Sequence, residues 1–174
     1  GNTKQTVCTV ATTTSGQALQ VIQPEGSADG VDAEFFFGHS TVNANGGQQA
    51  AHGFILATTS IAQAWSSILY EAGGADTDSA VISIQASSGT VPSGIMLVSS
   101  TIGNASTTGT ATWIDGVFNT TTSLTGGTQY FTVWSRTGSL GTPYWGTQAS
   151  TTNIASGTTR IYNGTDWTTQ TPSV

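Results

Sequence analysis

The chain has 174 residues, enough for one domain with a sizeable core. Charged residues make up only 7%, three Lys/Arg against nine Asp/Glu, for a net charge of -6. So few cations exclude a phosphate-neutralising nucleic-acid surface, and the negative balance disfavours an anionic membrane. No apolar run approaches the roughly 18 residues of a membrane-spanning helix, and membrane insertion is not expected. The single cysteine, Cys8, excludes an intrachain disulfide; it reads as a small buried hydrophobe, with an intermolecular bridge as the alternative.

Serine, threonine and glycine dominate, a composition that can signal disorder. Disorder, however, goes with few aromatic and β-branched residues, and this chain has five Trp, six Phe and four Tyr. Threonine is itself a good strand residue. Solubility must come from hydroxyls and amides rather than charge, a habit that suits a virion-surface or extracellular protein.

Helical periodicity is nearly absent. Runs of four to eight residues bounded by Gly, Ser, Asn or Asp recur instead, as in sandwiches and barrels. The first is 6–10, Thr6-Val7-Cys8-Thr9-Val10, and the next is 18–23. Both fall in a β-prone, almost uncharged N-terminal arm, 1–25, ahead of the main domain, 26–174. Residues 33–38 carry Phe35-Phe36-Phe37, more apolar surface than one face of a strand hides, so burial on both faces or a subunit contact is expected. Strands are then expected over 53–58 (GFILAT), 64–71 (AWSSILYE) and 80–86 (AVISIQA). In the last, Ile82 and Ile84 alternate with Ser83 and Gln85. Further runs follow at 95–100 (IMLVSS), 111–119 (ATWIDGVFN), 129–135, 144–147 and 159–162. Before 129–135, Gly126-Gly127 supplies a corner where positive φ costs nothing. Asn163-Gly164 is a hairpin signal joining 160–162 to 166–168.

From about residue 50 onward the chain resembles a jelly-roll β-sandwich module of phage tail and head proteins and of bacterial surface proteins, the choice-of-anchor type included. The stretches "GFILATTSIAQAWSSILYEAGG" and "SAVISIQASSGTVPSGIMLVSSTI" resemble its opening and central strands. "ATWIDGVFNTTTSLTGGTQYFTVWS" is similar to its Trp strand and Leu-Thr-x-Gly-Thr-x-Tyr passage, and "RIYNGTDWTTQTP" to its final Asn-Gly-x-x-Trp hairpin. The resemblance implies an all-β, antiparallel jelly-roll β-sandwich with an extended N-terminal arm, and no shared catalytic residues. It also implies a closing apolar strand that residues 170–174 do not supply, hence an open sheet edge. The arm is expected either to complete its own sandwich or to pair with a neighbouring subunit, which makes Thr6, Val7, Cys8, Thr9, Val10 and Phe35, Phe36, Phe37 candidate assembly contacts.

No catalytic residue is assigned. His39 and His52 flank Gly-rich loops, with no nucleophile elbow and no H-E-x-x-H, and read as loop-end hydrogen bonders. The carboxylates Asp29, Asp32 and Glu34 read as turn residues, since a glycosidase pair would need a shared cleft. Asp76 and Asp78 offer hard oxygen donors on a loop, which suits calcium; solvated turn aspartates are the plainer reading. No other cofactor is indicated. Trp65, Trp113 and Trp134 lie in apolar strands and read as core. Tyr144, Trp145 and Trp167 lie near Gly, Pro and Asn corners, where an exposed ring could stack on a glycan. Asn104, Asn119 and Asn163 stand in sequons permissive of glycosylation.

These readings point to a non-enzymatic structural and interaction protein on the outside of a virion, of the capsid-decoration or fibre type and present in many copies. Its partners would be copies of itself or other structural subunits. The alternatives are an extracellular filament subunit joined by donor-strand exchange and a carbohydrate-binding adhesion module with surface glycans as ligands.

Overall fold

The computed structural model describes residues 7–10, 19–22, 33–41, 46–72, 78–103, 110–141, 143–149 and 159–169. Twelve strands account for most of them. β1 (Val7–Val10) and β2 (Leu19–Ile22) form a hairpin. The strands that follow are β3 (Ala33–Phe37), β4 (Gln49–Ile55), β5 (Ser60–Ala72), β6 (Ala80–Ser88) and β7 (Val91–Ile102). The remainder are β8 (Thr112–Leu124), β9 (Gln129–Arg136), β10 (Tyr144–Ala149), β11 (Thr159–Tyr162) and β12 (Trp167–Thr169). The protein is thus all-β, as the glycine-punctuated runs predict.

Two antiparallel sheets face one another. One has the order β3-β10-β5-β8 and the other β12-β11-β4-β9-β6-β7. The pairings are nested: β3 with β10, β4 with β9, β5 with β8 and β6 with β7, as a long hairpin bent over on itself would leave them. Two cross-links, β10 with β5 and β9 with β6, close each sheet. β1 runs beside β5 of its own chain.

Strand alternation fills the space between the sheets. Phe35 and Phe37, Trp65 and Leu69, Phe118 and Leu124, and Trp145 come from the four-stranded sheet. Ala50 and Phe54, Ile82 and Ile84, Val98 and Ile102, Tyr130 and Trp134, and Ile161 come from the other. Burying this apolar surface is the main stabilising term, at about 25 cal/mol per Å². A buried polar contact joins the two sheets: Trp134 Nε1–H donates to Ser67 Oγ at 3.2 Å, and Ser67 Oγ lies 3.4 Å from Thr147 Oγ1. The outer face of the six-stranded sheet carries a smaller apolar cluster, Ala51, Phe131 and Val133 under Trp167.

The corners behave as their glycines require. Gly127, with φ 74°, turns the chain into β9, and Gly164, with φ 99°, turns β11 into β12. Several strands are longer than the sequence suggests. β4 begins at Gln49, ahead of Gly53; β5 begins at Ser60; β7 runs through Pro92 and Gly94; β8 continues through the polar run 119–123. Register shifts in β6–β7 around Gln85 absorb the Pro and Gly, so these punctuators bend the ladder without ending it.

Candidate functional site

The sheet order leaves β7 and β8 as the edge strands on one side of the sandwich, where they approach each other. Edges expose unpaired N–H and C=O groups, and proteins usually blunt them with Lys, Pro or bulges. β7 and β8 contain no Lys or Arg. β8 has one charge, Asp115, and its Oδ1 accepts from Ser66 Oγ at 2.5 Å on the neighbouring strand. Between Ala62↔Thr122 and Ala64↔Val117 the register takes two steps along β5 against five along β8, a bulge in β8. Three of the largest exposed apolar side chains lie on these strands: Ile95 at 63%, Met96 at 58% and Val117 at 66%.

The Phe triplet divides as strand alternation demands. Phe35 and Phe37 enter the core, while Phe36 lies half-buried on the outer face. There it meets Tyr144 edge-on at 5.1 Å and Tyr70 at 6.4 Å, and His39 meets Tyr144 at 4.8 Å. Two rings of the triplet are thus hidden between the sheets, and the third is partly covered on the outer face. Val7, Cys8, Thr9 and Val10 form β1; Thr6 lies outside the described residues.

The three aromatic residues read as a glycan platform do not form one. Trp145 is 0% exposed, stacked on Phe37 with centroids 6.4 Å apart inside the sandwich. The correction follows from register: Trp145 pairs with Phe37, an inward position, so its neighbour Tyr144 faces out. Trp167 is on the opposite sheet, half-buried, 5.2 Å from the ring of Tyr162. Trp65 and Trp134 are core as expected, and Trp113 is half-buried.

Asp78 has a protein partner. Its Oδ2 accepts from Arg136 Nε at 3.0 Å and Nη2 at 2.9 Å. Arg136 Nη1 also donates to the carbonyls of Gly38, at 3.4 Å, and Pro143. The guanidinium thus ties the end of β3, the approach to β10 and the approach to β6 together. Gly38 and Gly138 crowd this hub, because a Cβ at either would collide with Arg136 or Asp78. Asp76, Asp29, Asp32 and the side chain of Glu34 lie outside the described residues, and among those described no group of three metal-ligating side chains occurs.

The histidines part company. His39 bonds within its loop, Nδ1 lying 2.9 Å from Thr41 N, as a loop-end residue should. His52 does not sit at a loop end. It lies within β4 between the inward residues Ala50 and Phe54, with Nδ1 3.5 Å from Thr159 Oγ1. Its Nε2 is sealed from solvent and has no hydrogen-bond partner among the described residues. Burial lowers its pKa from 6.5 to about 4, because desolvation penalises the imidazolium. The misplacement traces to Gly53, which reads as a strand start but lies mid-strand, where it makes room for Phe131.

Of the sequons, Asn119 is exposed in the β8 bulge. Asn163 closes the β11–β12 turn, its Oδ1 accepting from Thr165 N at 2.8 Å and Asp166 N at 2.7 Å. Asn104 lies outside the described residues. The Arg136 hub and the buried His52 had no sequence signal, since each depends on partners far along the chain. The exposed residues of β7 and β8 had one in the runs 95–100 and 111–119, which carry no Lys or Arg. No protein-family model, curated protein or solved structure matches the chain.

Proposed function

We propose that the chain is a non-enzymatic structural and interaction protein, carried in many copies on the outside of a virion as a capsid-decoration or fibre-type subunit. The observation that carries this reading is the β7–β8 side, two long edge strands without a cation and with Ile95, Met96 and Val117 exposed. Such an edge is a template for pairing with another chain. The nested strand order supports the jelly-roll reading, an architecture common among viral capsid and lectin domains; it raises the prior for an assembly role and carries no function by itself.

The test is the size of the native chain in solution, by light scattering and negative-stain microscopy, beside an Ile95→Lys/Met96→Lys variant. Concentration-dependent assembly that the charged edge abolishes, with an unchanged circular dichroism spectrum, is expected. Identical assembly by both chains would remove the β7–β8 edge from the reading. A chain that stays monomeric at every concentration would count against self-assembly.

Carbohydrate adhesion is the second reading, and the half-buried Phe36–Tyr144–His39 cluster favours it. Filament growth by exchange of β1 is less favoured, because β1 lies beside β5 of its own chain.

A further inference from the structure

Of the three cations, Lys4 lies outside the described residues and Arg136 is paired with Asp78. Arg160 is the third, and it is 8% exposed. On β11 it faces Ala51 of β4 and Thr169 of β12, while its neighbour Ile161 enters the core. Its side chain therefore lies on the outer face of the six-stranded sheet. Nε donates to the Thr90 carbonyl at 3.0 Å and Nη1 to Thr169 Oγ1 at 2.6 Å. Among the described residues no carboxylate lies within ion-pair distance of it. Guanidinium has five N–H donors in a planar fork, and the described residues take up only part of it. A largely covered cation that finds no counter-charge among the described residues is costly to hold, and an anion from outside the chain would offset that cost.

The same face supplies the rest of a site. Two positions along β11, Tyr162 lies opposite Trp167, and both rings are half-buried. Trp167 packs over Ala51, Phe131 and Val133, which hold the indole in place. One short hairpin thus places a guanidinium and two aromatic rings on the same face of the sheet.

We propose that the outer face of the β11–β12 hairpin binds a carboxylate-bearing saccharide, with the hexuronate carboxylate on Arg160 and the sugar ring against Trp167 and Tyr162. The planar fork matches a carboxylate in two-point contact. The aromatic rings suit the apolar face of a pyranose and give an acidic peptide little to use. A polyphosphate would need several cations, and this face offers one. The assignment is independent of whether the β7–β8 side assembles.

The test is calorimetry and tryptophan fluorescence on the full chain with three probes: a galacturonate trisaccharide, its methyl ester, and triglutamate. The acid sugar is expected to bind and perturb the fluorescence, and the neutral ester to bind about tenfold more weakly, the scale of one charged hydrogen-bonded contact. Arg160→Gln should bring the acid sugar to the level of the ester, and Trp167→Ala should abolish binding of both. Where Arg160→Gln disturbs the hairpin, the comparison of acid with ester on the unaltered chain decides alone. Equal affinity for acid and ester, triglutamate binding as tightly as the sugar, or no response to millimolar acid sugar would each overturn the proposal.

Discussion

Trp65 of β5 covers Gly116 of β8, the residue it directly faces across the strand pair. A Cβ on residue 116 would fall inside the van der Waals surface of the indole, against Cζ2 and Cε2. Tyr70, five residues further along β5, covers its own cross-strand partner, Gly146 of β10, in the same way. One strand thus lays an aromatic ring over a glycine on each neighbour, Trp65 on the core side and Tyr70 on the outer side. The glycines that look like weak points in β8 and β10 are seats for rings.

Gly116→Ala should therefore act as an overpacking change. A loss of about 1–3 kcal/mol is expected, read as a lower midpoint in urea with an unchanged slope. Gly103→Ala is the control, since a Cβ there meets nothing within 4 Å; a change within about 0.5 kcal/mol is expected. Equal effects at the two sites would deny the seat its role.

His52 makes stability depend on acidity. Its folded pKa, about 4, lies below the ordinary 6.5, so between those values the unfolded chain binds the extra proton. Stability is then fully present above pH 6.5 and is lost as pH falls towards 4, by about 3 kcal/mol in total. His52→Leu should remove this part of the decline while leaving the part due to carboxylates. The check is the difference between the two chains in urea midpoint across pH 7 to 4, which should narrow steadily if the native chain starts higher and widen if it starts lower.

Much of the fold was legible because strand signals here are local. Each of the twelve runs read from the sequence holds a strand, since β-branched and aromatic residues between glycine corners leave few alternatives. Strand ends were less legible: the run expected at 95–100 begins after Pro92 and Gly94, yet a bulged pairing carries β7 through them. The face of each side chain was legible only where register was known. Trp145 and Tyr144 look alike beside Gly141 and Pro143, and it is the pairing of Trp145 with Phe37 that sends one inward and the other outward. Arg136 and Arg160 could not be placed, because Asp78 and Gly38 lie 58 and 98 residues from the first and Thr90 lies 70 residues from the second.

The Arg136 hub is probed from both of its ends. The side chain of Arg136 is 7% exposed and that of Asp78 27%. Arg136→Gln gives up the ion pair together with the bonds to Gly38 and Pro143. Asp78→Asn keeps an acceptor at Oδ1 but leaves the nearly buried guanidinium without its counter-charge. Each should cost about 3 kcal/mol. Thermal denaturation of the two variants checks this, and a loss well under about 1 kcal/mol for Asp78→Asn would make the pair no more than a surface bridge. The same geometry predicts that added calcium leaves the native midpoint unchanged, because the carboxylate already faces a guanidinium; a calcium-dependent rise would restore the metal reading of Asp76 and Asp78.

The buried bond between the sheets is open to a sharper test than a single substitution. Ser67→Ala removes the acceptor of Trp134 Nε1–H and leaves a buried donor unmet, at a cost of about 1–3 kcal/mol. Trp134→Phe removes the donor, but it also opens space in the core, so its own loss mixes two effects. In the Trp134→Phe background there is no donor left to strand, and Ser67→Ala should cost markedly less. A coupling of about 1 kcal/mol or more in the four-chain cycle would make this bond a link that registers one sheet against the other. Additive losses would mean that the apolar packing of the shared core alone holds the two layers in place.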